Sequence, residues 1–214
     1  MTERGRIAQQ AQEFFEMQWQ QGDPWHIESS EYERARCVHL RRMLAGRRYA
    51  RVLELGCGAG YFTRLLAGLA EQIVALDISP TAIARARALG ADLSTVEFRV
   101  ANVMDYTWRT EGPWDLVVMS DTLCMLGWLY PFFDIAWLAA ELYAATGSGG
   151  RLLLANSMCE VNEPLLLPWL IRTYRDLFQN VGYRLEVEEI FRGTKHAVDF
   201  EVLISLFVKE PAHG

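Results

Sequence analysis

The sequence lacks the cysteine patterns of a metal site or of a disulfide-stabilised scaffold. Its four cysteines are widely scattered along 214 residues, at Cys37, Cys57, Cys124 and Cys159. Zinc sites and small disulfide-rich domains both depend on closely spaced cysteines, and no Cys-x-x-Cys pair occurs here. We therefore expect no metal and no disulfide framework, with Cys57 and Cys124 as small reduced fillers. Activity should be insensitive to a chelator.

Long apolar runs and an excess of basic charge are also missing. No run reaches the roughly 20 residues of a membrane-spanning helix, and the chain opens without the apolar segment of a signal peptide. We therefore expect a cytoplasmic protein without membrane contacts. The formal net charge of −6 argues against a nucleic-acid partner bound by counterion release. The arginines between residues 34 and 51 predict a solvated helix face, with a phosphate track as the alternative.

The most informative stretch, residues 52–63, has the pattern of a strand, a turn and the start of a helix. Its turn carries glycine at every second position, Gly56, Gly58 and Gly60. Glycine tolerates positive φ and lets a ligand touch the backbone, and such a loop directs N–H groups over the sheet edge. The next predicted strand carries Asp77 near its end, where a ribose would lie. Together these features predict a nucleoside-binding half.

The glycine spacing distinguishes between two cofactors. The dinucleotide fingerprint is Gly-x-Gly-x-x-Gly, but here Tyr61 occupies the last glycine position and Gly60 comes one residue earlier. An acid, Glu54, precedes the first glycine by two residues. The stretch resembles the Glu/Asp-x-Gly-x-Gly-x-Gly motif of class I S-adenosylmethionine (SAM)-dependent methyltransferases. The alternative is a Rossmann-like fold whose site is inactive or binds NAD.

This resemblance implies specific roles for residues of the chain. In that family the glycine loop approaches the methionyl and ribose parts of SAM, and the acid after the second strand binds both ribose hydroxyls. An acid or amide usually lies beside the adenine after the third strand, where this chain has Asn102; a loop asparagine without a ligand is the alternative. The residues assigned to the cofactor, whose product is S-adenosylhomocysteine, are Arg36, Glu54, Gly56, Cys57, Gly58, Gly60, Asp77, Ile78, Asn102, Val103 and Ser120.

Strands and helices alternate from residue 51 onward. The later parallel strands are expected at 72–78, 96–100, 114–121 and 151–157, with a turn at 147–150. Two β-rich runs, 183–191 and 200–209, must pair antiparallel because their connection is short. The resemblance implies an α/β protein with a Rossmann-like, seven-stranded, mostly parallel sheet and a C-terminal antiparallel hairpin. We expect a single domain overall, with an N-terminal helical cap segment at 1–48 and a methyltransferase domain at 49–214.

The first 48 residues predict two helices, at about 5–21 and up to about residue 45, with Ser29 or Ser30 as the cap of the second. These helices are either a lid over the cofactor site or a cover for the sheet edge. Residues 23–25, Tyr32 and Arg36, together with residues 115–123, resemble the NodS branch of the class I family. That branch N-methylates a free amino group on a deacetylated chito-oligosaccharide.

The resemblance implies a small-molecule acceptor, and an amino-sugar nitrogen is the first hypothesis. An O-methyltransferase of bacterial secondary metabolism is the second, and a SAM-binding regulatory protein is the non-enzyme alternative. Trp25 and Tyr32 are assigned to substrate binding, stacking on a sugar or closing over adenine, with packing as the alternative. Arg36 is expected at the methionine carboxylate or simply at the surface.

The chemistry requires a proton acceptor near the methyl acceptor. SAM supplies a reactive methyl group, so the protein mainly binds, aligns and desolvates. An amine attacks only when neutral, which calls for a carboxylate or histidine nearby. The candidates are Asp121, Glu160, Glu163 and His196. Their structural alternatives are a helix cap for Asp121, solvated loop acids for the two glutamates and a hairpin tip for His196.

A predicted helix from about residue 131 to 145 carries several aromatic residues. Phe132, Phe133 and Trp137 occur there together with Leu142. Core or interface packing is expected for them, and a substrate cage is the alternative. A homodimer is accordingly one of the expected assemblies.

Overall fold

The computed structural model describes residues 3–159 and 164–211, which belong to two compact units, Met1–Tyr106 and Thr107–Gly214. The first unit has three parallel strands with β2 in the middle. Its elements are α1 (Glu3–Gln20), α2 (Glu31–Leu44), β1 (Tyr49–Leu55), α3 (Tyr61–Leu66), β2 (Ala70–Asp77), α4 (Pro80–Leu89), β3 (Val96–Val100) and a short 3-10 helix (Val103–Asp105).

The second unit combines a parallel strand pair with an antiparallel hairpin. Strands β4 and β5 are parallel, and β7 pairs antiparallel with both β5 and β6. Its elements are β4 (Trp114–Ser120), α5 (Thr122–Leu129), α6 (Phe132–Ala145), β5 (Thr146–Met158), α7 (Pro168–Asn180), β6 (Arg184–Lys195) and β7 (Val198–Val208), with 3-10 helices at Thr107–Glu111 and Pro164–Leu166.

The strands of the described chain form a seven-stranded sheet in the order β3-β2-β1-β4-β5-β7-β6. The apolar runs of β1, β4 and β5 are buried for most of their length, as expected for parallel strands that are covered on both faces. The predicted α/β class, the mostly parallel sheet and the antiparallel C-terminal hairpin are confirmed.

Local sequence signals account for two helix starts. The Ser30 hydroxyl accepts a hydrogen bond from the backbone N–H of Glu33 at 3.3 Å and caps α2. The Ser79 hydroxyl accepts one from the N–H of Ala82 at 3.1 Å, and Pro80 follows at the first helical position, where its missing N–H costs nothing.

The hairpin departs from the predicted boundaries. Residues 192–199 were expected to be an eight-residue connection, but the strands continue to a two-residue turn at His196 and Ala197. Both turn residues have positive φ, 51° and 61°, which is the geometry that matches the twist of a tight hairpin. The signal was weak because neither residue is the glycine, asparagine or aspartate that normally marks such turns.

The glycine-rich segment 147–150 was predicted as a turn and instead lies inside β5. The N–H of Gly149 donates to the carbonyl of Lys209, and the N–H of Lys209 donates to the carbonyl of Gly150. The prediction failed because these partners lie some 60 residues away in sequence. Helix α5 was anticipated only through the alternative role of Asp121 as a helix cap, and its bounds were not predicted.

Candidate active site

The glycine loop between β1 and α3 has a fixed shape. Gly56, Gly58 and Gly60 have φ values of 78°, 54° and 82°, which glycine adopts without steric cost. The N–H groups of Gly56 and Cys57 both donate to the carbonyl of Leu76, at 2.8 and 2.9 Å. The loop is thus tied to the end of β2 by its own backbone.

Asp77 completes this connection from the end of β2. Its Oδ2 accepts a hydrogen bond from the N–H of Gly58 at 2.9 Å, and its Oδ1 accepts one from the N–H of Ser79 at 2.9 Å. Burial raises the pKa of Asp77, against the lowering effect of these two bonds. A carboxylate offers about four lone-pair directions, so it retains capacity to accept hydroxyl donors from a ligand.

Glu54, the second-last residue of β1, is a buried acid with an unused oxygen. The residue is 3 % exposed, and its Oε2 has no hydrogen-bond partner within the described residues. Burial raises its pKa to about 8, opposed by the Thr63 hydroxyl and reinforced by the charge of Asp77. A buried polar oxygen without a partner is costly, and a ligand that brings a donor or a cation would remove this cost.

Helix α1 lies against the glycine loop. A Cβ atom at Gly58 would come within 3.0 Å of Cζ2 of Trp19, and this tryptophan is fully buried beside Ala59 and Ala82. Trp25 packs edge-on against it, with 5.5 Å between ring centroids. In this conformation a ligand that approaches Gly58 from the Trp19 side must displace the indole ring.

Glu16 holds α1 in this position. Its Oε2 accepts bonds from the Ser79 hydroxyl at 2.6 Å and the Thr81 N–H at 3.0 Å, and its Oε1 accepts one from the Thr81 hydroxyl at 2.5 Å. Burial opposes ionisation of this group, but the hydrogen bonds outweigh it and lower the pKa of Glu16 to about 2. Helix α1 therefore caps the start of α4 with a charged side chain.

The N-terminal candidates Tyr32 and Arg36 are buried in α2. The Arg36 guanidinium forms an ion pair with Glu33 of the same helix, with 2.9 Å between Nη2 and Oε2. Tyr32 is 7 % exposed, and Trp25 is half-buried. Their assigned roles toward methionine carboxylate and substrate stay predictions.

Asn102 follows β3 and is buried. Its Oδ1 accepts a hydrogen bond from the N–H of Met104 at 2.9 Å and caps the short 3-10 helix that begins with buried Val103. Ala101 donates to the carbonyl of Asp77 at 2.9 Å, so this segment adjoins the end of β2. The adenine contact predicted for Asn102 remains a prediction.

In the second unit, Asp121 directly follows Ser120 at the carboxyl end of β4. Its φ of 52° is unusual for a residue other than glycine. Its N–H donates to the carbonyl of Ala155 at 2.7 Å, and its Oδ1 accepts a bond from the N–H of Ser157 at 2.6 Å. Its side chain makes no capping bond to α5. Non-glycine residues held in this conformation are concentrated at functional sites.

The other proton-acceptor candidates are either exposed or outside the described residues. His196 is exposed at the tip of the hairpin, the position that its structural alternative describes. Glu160 and Glu163 lie outside the described residues. The catalytic assignments of His196 and Glu160 stay predictions.

Residues 3–159 and 164–211 contain neither a cluster of metal ligands nor a membrane-spanning helix. This part of the chain brings together no group of three or more His, Cys, Asp or Glu side chains that could hold a metal ion. None of its helices combines the length and the hydropathy needed to cross a bilayer.

Comparison with known proteins then identifies the family. The family model of Nodulation protein S (NodS) matches residues 8–128, more than half of the chain. The chain belongs to the NodS family. The matched region includes the glycine loop, Asp77, Asn102 and Asp121, and it ends before the hairpin that carries His196.

Individual relatives of this NodS family member match it in part. Nodulation protein S of Bradyrhizobium diazoefficiens is 34% identical over 107 residues, which cover 49% of each chain. The chain thus spans about half the length of this curated relative. A carboxy-S-adenosyl-L-methionine synthase of Psychrobacter arcticus is 30% identical over 181 residues, covering 81% of this chain and 64% of the synthase.

The fold is shared with a solved NodS structure. The N-methyltransferase NodS from Bradyrhizobium japonicum, in complex with S-adenosyl-L-homocysteine, superposes with a TM-score of 0.77. The match has 21% sequence identity and covers 93% of this chain and 98% of that one. The superposition shows the shared fold, and the family match confirms the predicted resemblance to the NodS branch.

Two contributors to the site, Glu16 and Trp19, were missed from the sequence, as was one buried polar residue, Asn156. Glu16 and Trp19 lie three residues apart on one face of α1, a spacing that also fits ordinary surface and packing positions. Asn156 in β5 is 3 % exposed, and its Oδ1 has no hydrogen-bond partner among the residues described. A polar residue directly after the apolar run 152–155 is the signal that could have singled out Asn156.

Proposed function

We propose that this chain is a SAM-dependent methyltransferase that methylates the nitrogen of a small acceptor, with an amino sugar as the acceptor class. The observation that carries the proposal is the glycine loop bonded to Asp77, with the unpartnered carboxyl oxygen of Glu54 buried in the preceding strand. Membership in the NodS family supports the same activity.

The residues present fit the chemistry of SAM. The ribose of SAM offers two hydroxyl donors, and Asp77 retains lone pairs for them after binding Gly58 and Ser79. The methionyl end of SAM carries cationic groups, and Glu54 is an acid that a nearby cation would ionise. SAM itself supplies the transferable methyl group on its sulfonium.

The chain's own residues then act by positioning. The glycine loop presents backbone at close range because its three glycines carry no side chain. Trp19 and Trp25 place apolar surface beside the loop, which excludes water from one side. Exclusion of water strengthens the electrostatic interactions that orient a cofactor.

Asp121 is the proposed proton acceptor for the methyl acceptor. It lies at the carboxyl end of β4, and ligands of open α/β sheets bind outside the carboxyl ends of their strands. Its Oδ1 accepts a hydrogen bond from the N–H of Ser157 at 2.6 Å, which orients the carboxylate at this strand end. An amine that has lost its proton to this carboxylate attacks the methyl group directly.

The test measures transfer with the full chain, SAM and two acceptor panels. One panel holds amino sugars, including deacetylated chito-oligosaccharides; the other holds phenols and alcohols without an amine. We expect S-adenosylhomocysteine and an acceptor heavier by one methyl group only with the amines. Asp77→Ala serves as the control with weakened cofactor binding, because it removes the proposed ribose acceptor.

Other products would assign other functions. Methylated phenols would identify an O-methyltransferase. A carboxylated SAM would point to the reaction named for the Psychrobacter relative. Binding of S-adenosylhomocysteine without turnover of any acceptor would indicate a regulatory protein, and calorimetry distinguishes this result from failure to bind the cofactor at all.

A further inference from the structure

Helix α6 is apolar on every side. Its only charged residues are Asp134 and Glu141, and Glu141 is buried in an ion pair with Arg109. Ile135, Leu138 and Leu142 form its buried face. A helix that is hydrophobic all round is normally covered on all sides, yet one face of α6 is exposed.

The exposed face is a continuous stripe. Phe133 and Trp137 are 73 % and 50 % exposed, and their rings stack with centroids 6.5 Å apart. Ala140 and Ala144 continue the stripe toward the C-terminus and are also exposed. These four residues follow the helical spacing of one face, and we call them the α6 stripe. One half of it is bulky and the other half is small.

The surface around the stripe has the size of a protein interface. Phe132 is 52 % exposed beside it, and Trp128 and Trp169, on helices that pack against α6, are 47 % and 64 % exposed. With about 200 Å² of surface per aromatic side chain, these three residues together with Phe133 and Trp137 expose roughly 550 Å². A stable dimer buries about 800 Å² per partner, so the exposed aromatic area on α6 and the two helices that contact it is comparable to one such face.

We propose that a second copy of this chain covers the α6 stripe, with the two α6 helices packed antiparallel about a two-fold axis. An axis that passes level with the peptide between residues 138 and 139 places Phe133 opposite the partner's Ala144 and Trp137 opposite the partner's Ala140. Both bulky residues then meet small ones, and the same patch serves both subunits, as two-fold symmetry requires. Parallel packing would instead set aromatic residues against aromatic residues.

Charge disfavours a lipid surface as the occupant. Helices that lie on membranes carry Lys or Arg on their polar side to attract anionic lipids. Helix α6 contains neither residue, and the chain has a net charge of −6. The second copy of the chain is the occupant that matches both the shape and the charge of the stripe.

The experiment compares the mass of the full chain with that of two variants by sedimentation equilibrium. We expect a dimer at micromolar concentration. Ala140→Glu should weaken it by about 100-fold, because it buries an unpaired charge against the partner's Trp137. The control, Ala35→Glu, makes the same change at an exposed position of α2 and should leave the dimer intact.

A mixing experiment tests the antiparallel register. Trp137→Lys alone should also give monomers. Mixed with Ala140→Glu, it should restore a heterodimer, in which one Lys–Glu pair forms and the second Trp137–Ala140 contact is kept. Three results would overturn the proposal: a wild-type chain that is a monomer at every concentration, a chain that binds anionic vesicles in place of self-association, and an Ala140→Glu dimer as strong as the wild-type dimer. Restored dimers in the mixture support it.

Discussion

The carboxylate of Asp77 accepts a hydrogen bond from the backbone N–H of Gly58, with 2.9 Å between Oδ2 and N. Its other oxygen binds the N–H of Ser79, the capping residue of α4. One side chain therefore joins the glycine loop of β1 to the helix that follows β2. Asp77 organises the loop in addition to its proposed contact with a ribose.

Replacement of Asp77 by alanine should weaken SAM binding by about 1.5–3 kcal/mol, the usual range for a hydrogen bond to a charged group, or roughly 10- to 150-fold in Kd. The N–H of Gly58 also loses its acceptor, so the melting temperature should fall. Calorimetry with S-adenosylhomocysteine and thermal unfolding measure the two effects. Unchanged binding would remove Asp77 from the cofactor site.

Gly58→Val should abolish cofactor binding by a different route. The position has a φ of 54° and only 3.0 Å between a Cβ and Trp19, so a branched side chain is strained in the backbone and collides with the indole. Trp19→Ala in the same chain relieves the collision but not the strain. Full cofactor affinity in Gly58→Val would contradict a role for the loop.

Glu54→Gln should flatten the pH dependence of stability. The pKa of Glu54 is about 8 in the folded state, above its ordinary value of 4.5. Between these two pH values the folded state therefore binds one more proton than the unfolded state. The contribution of Glu54 to the free energy of unfolding is then fully present below about pH 4.5 and is lost as the pH rises through about 8. The glutamine variant should be the more stable one above that pH without ligand. Urea unfolding across the range provides the measurement, and parallel pH profiles would refute the assignment.

Glu16→Gln should weaken the attachment of α1 to the start of α4. The variant weakens three hydrogen bonds to Ser79 and Thr81, each of about 1.5–3 kcal/mol when charge-assisted and less when shared with solvent. In the wild type this stabilisation is present above the reference pKa of 4.5 and is lost as the pH falls toward about 2. Hydrogen exchange in residues 3–20 reports the effect.

Glu13→Gln is the matched control for this variant. Glu13 lies on the same helix, is exposed, and accepts a bond from Gln9 at 2.8 Å. Its exchange pattern should equal that of the wild type. Equal exchange in both variants would mean that Glu16 does not anchor α1.

Gly127→Ala should destabilise the second unit. A Cβ at this position would lie 2.3 Å from Cζ of Tyr174, whose hydroxyl donates to the Gly127 carbonyl at 3.0 Å. Overpacking of this kind costs about 1–3 kcal/mol. In a Tyr174→Ala background the same change should cost nothing, since alanine is the better helix former. If Gly127→Ala still lowered the stability in that background, the contact with Tyr174 would not be the cause.

Asp121→Asn should slow methyl transfer without weakening cofactor binding. The amide oxygen still accepts the N–H of Ser157, so the local structure is kept, but no carboxylate remains to take a proton. General-base catalysis contributes about 100-fold or more. We expect kcat to fall by that order at neutral pH and to recover as the pH rises and the amine deprotonates in solution. A change confined to KM would leave Asp121 with a binding role.

Sequence patterns predicted those elements whose signals are local. Ser30, one of the two serines expected to cap α2, does cap it, and strands and helices alternate after residue 51 as predicted. The mostly parallel sheet was implied by the family resemblance. The predictions of a connection at 192–199 and of a turn at 147–150 were wrong because strand pairing extends over both segments. Pairing partners far along the chain decide whether a glycine-rich or polar stretch is a turn or a strand.

The sequence by itself determined the glycine loop, its acid at residue 77 and the family of the chain, because these depend on backbone conformations that only particular residues adopt. Only the tertiary structure decided that Glu16 caps α4, a contact across 63 to 65 residues, and that Trp19 covers Gly58. It also decided that Phe133 and Trp137 face outward. Burial depends on which elements pack together, and neighbouring residues in the sequence do not contain that information.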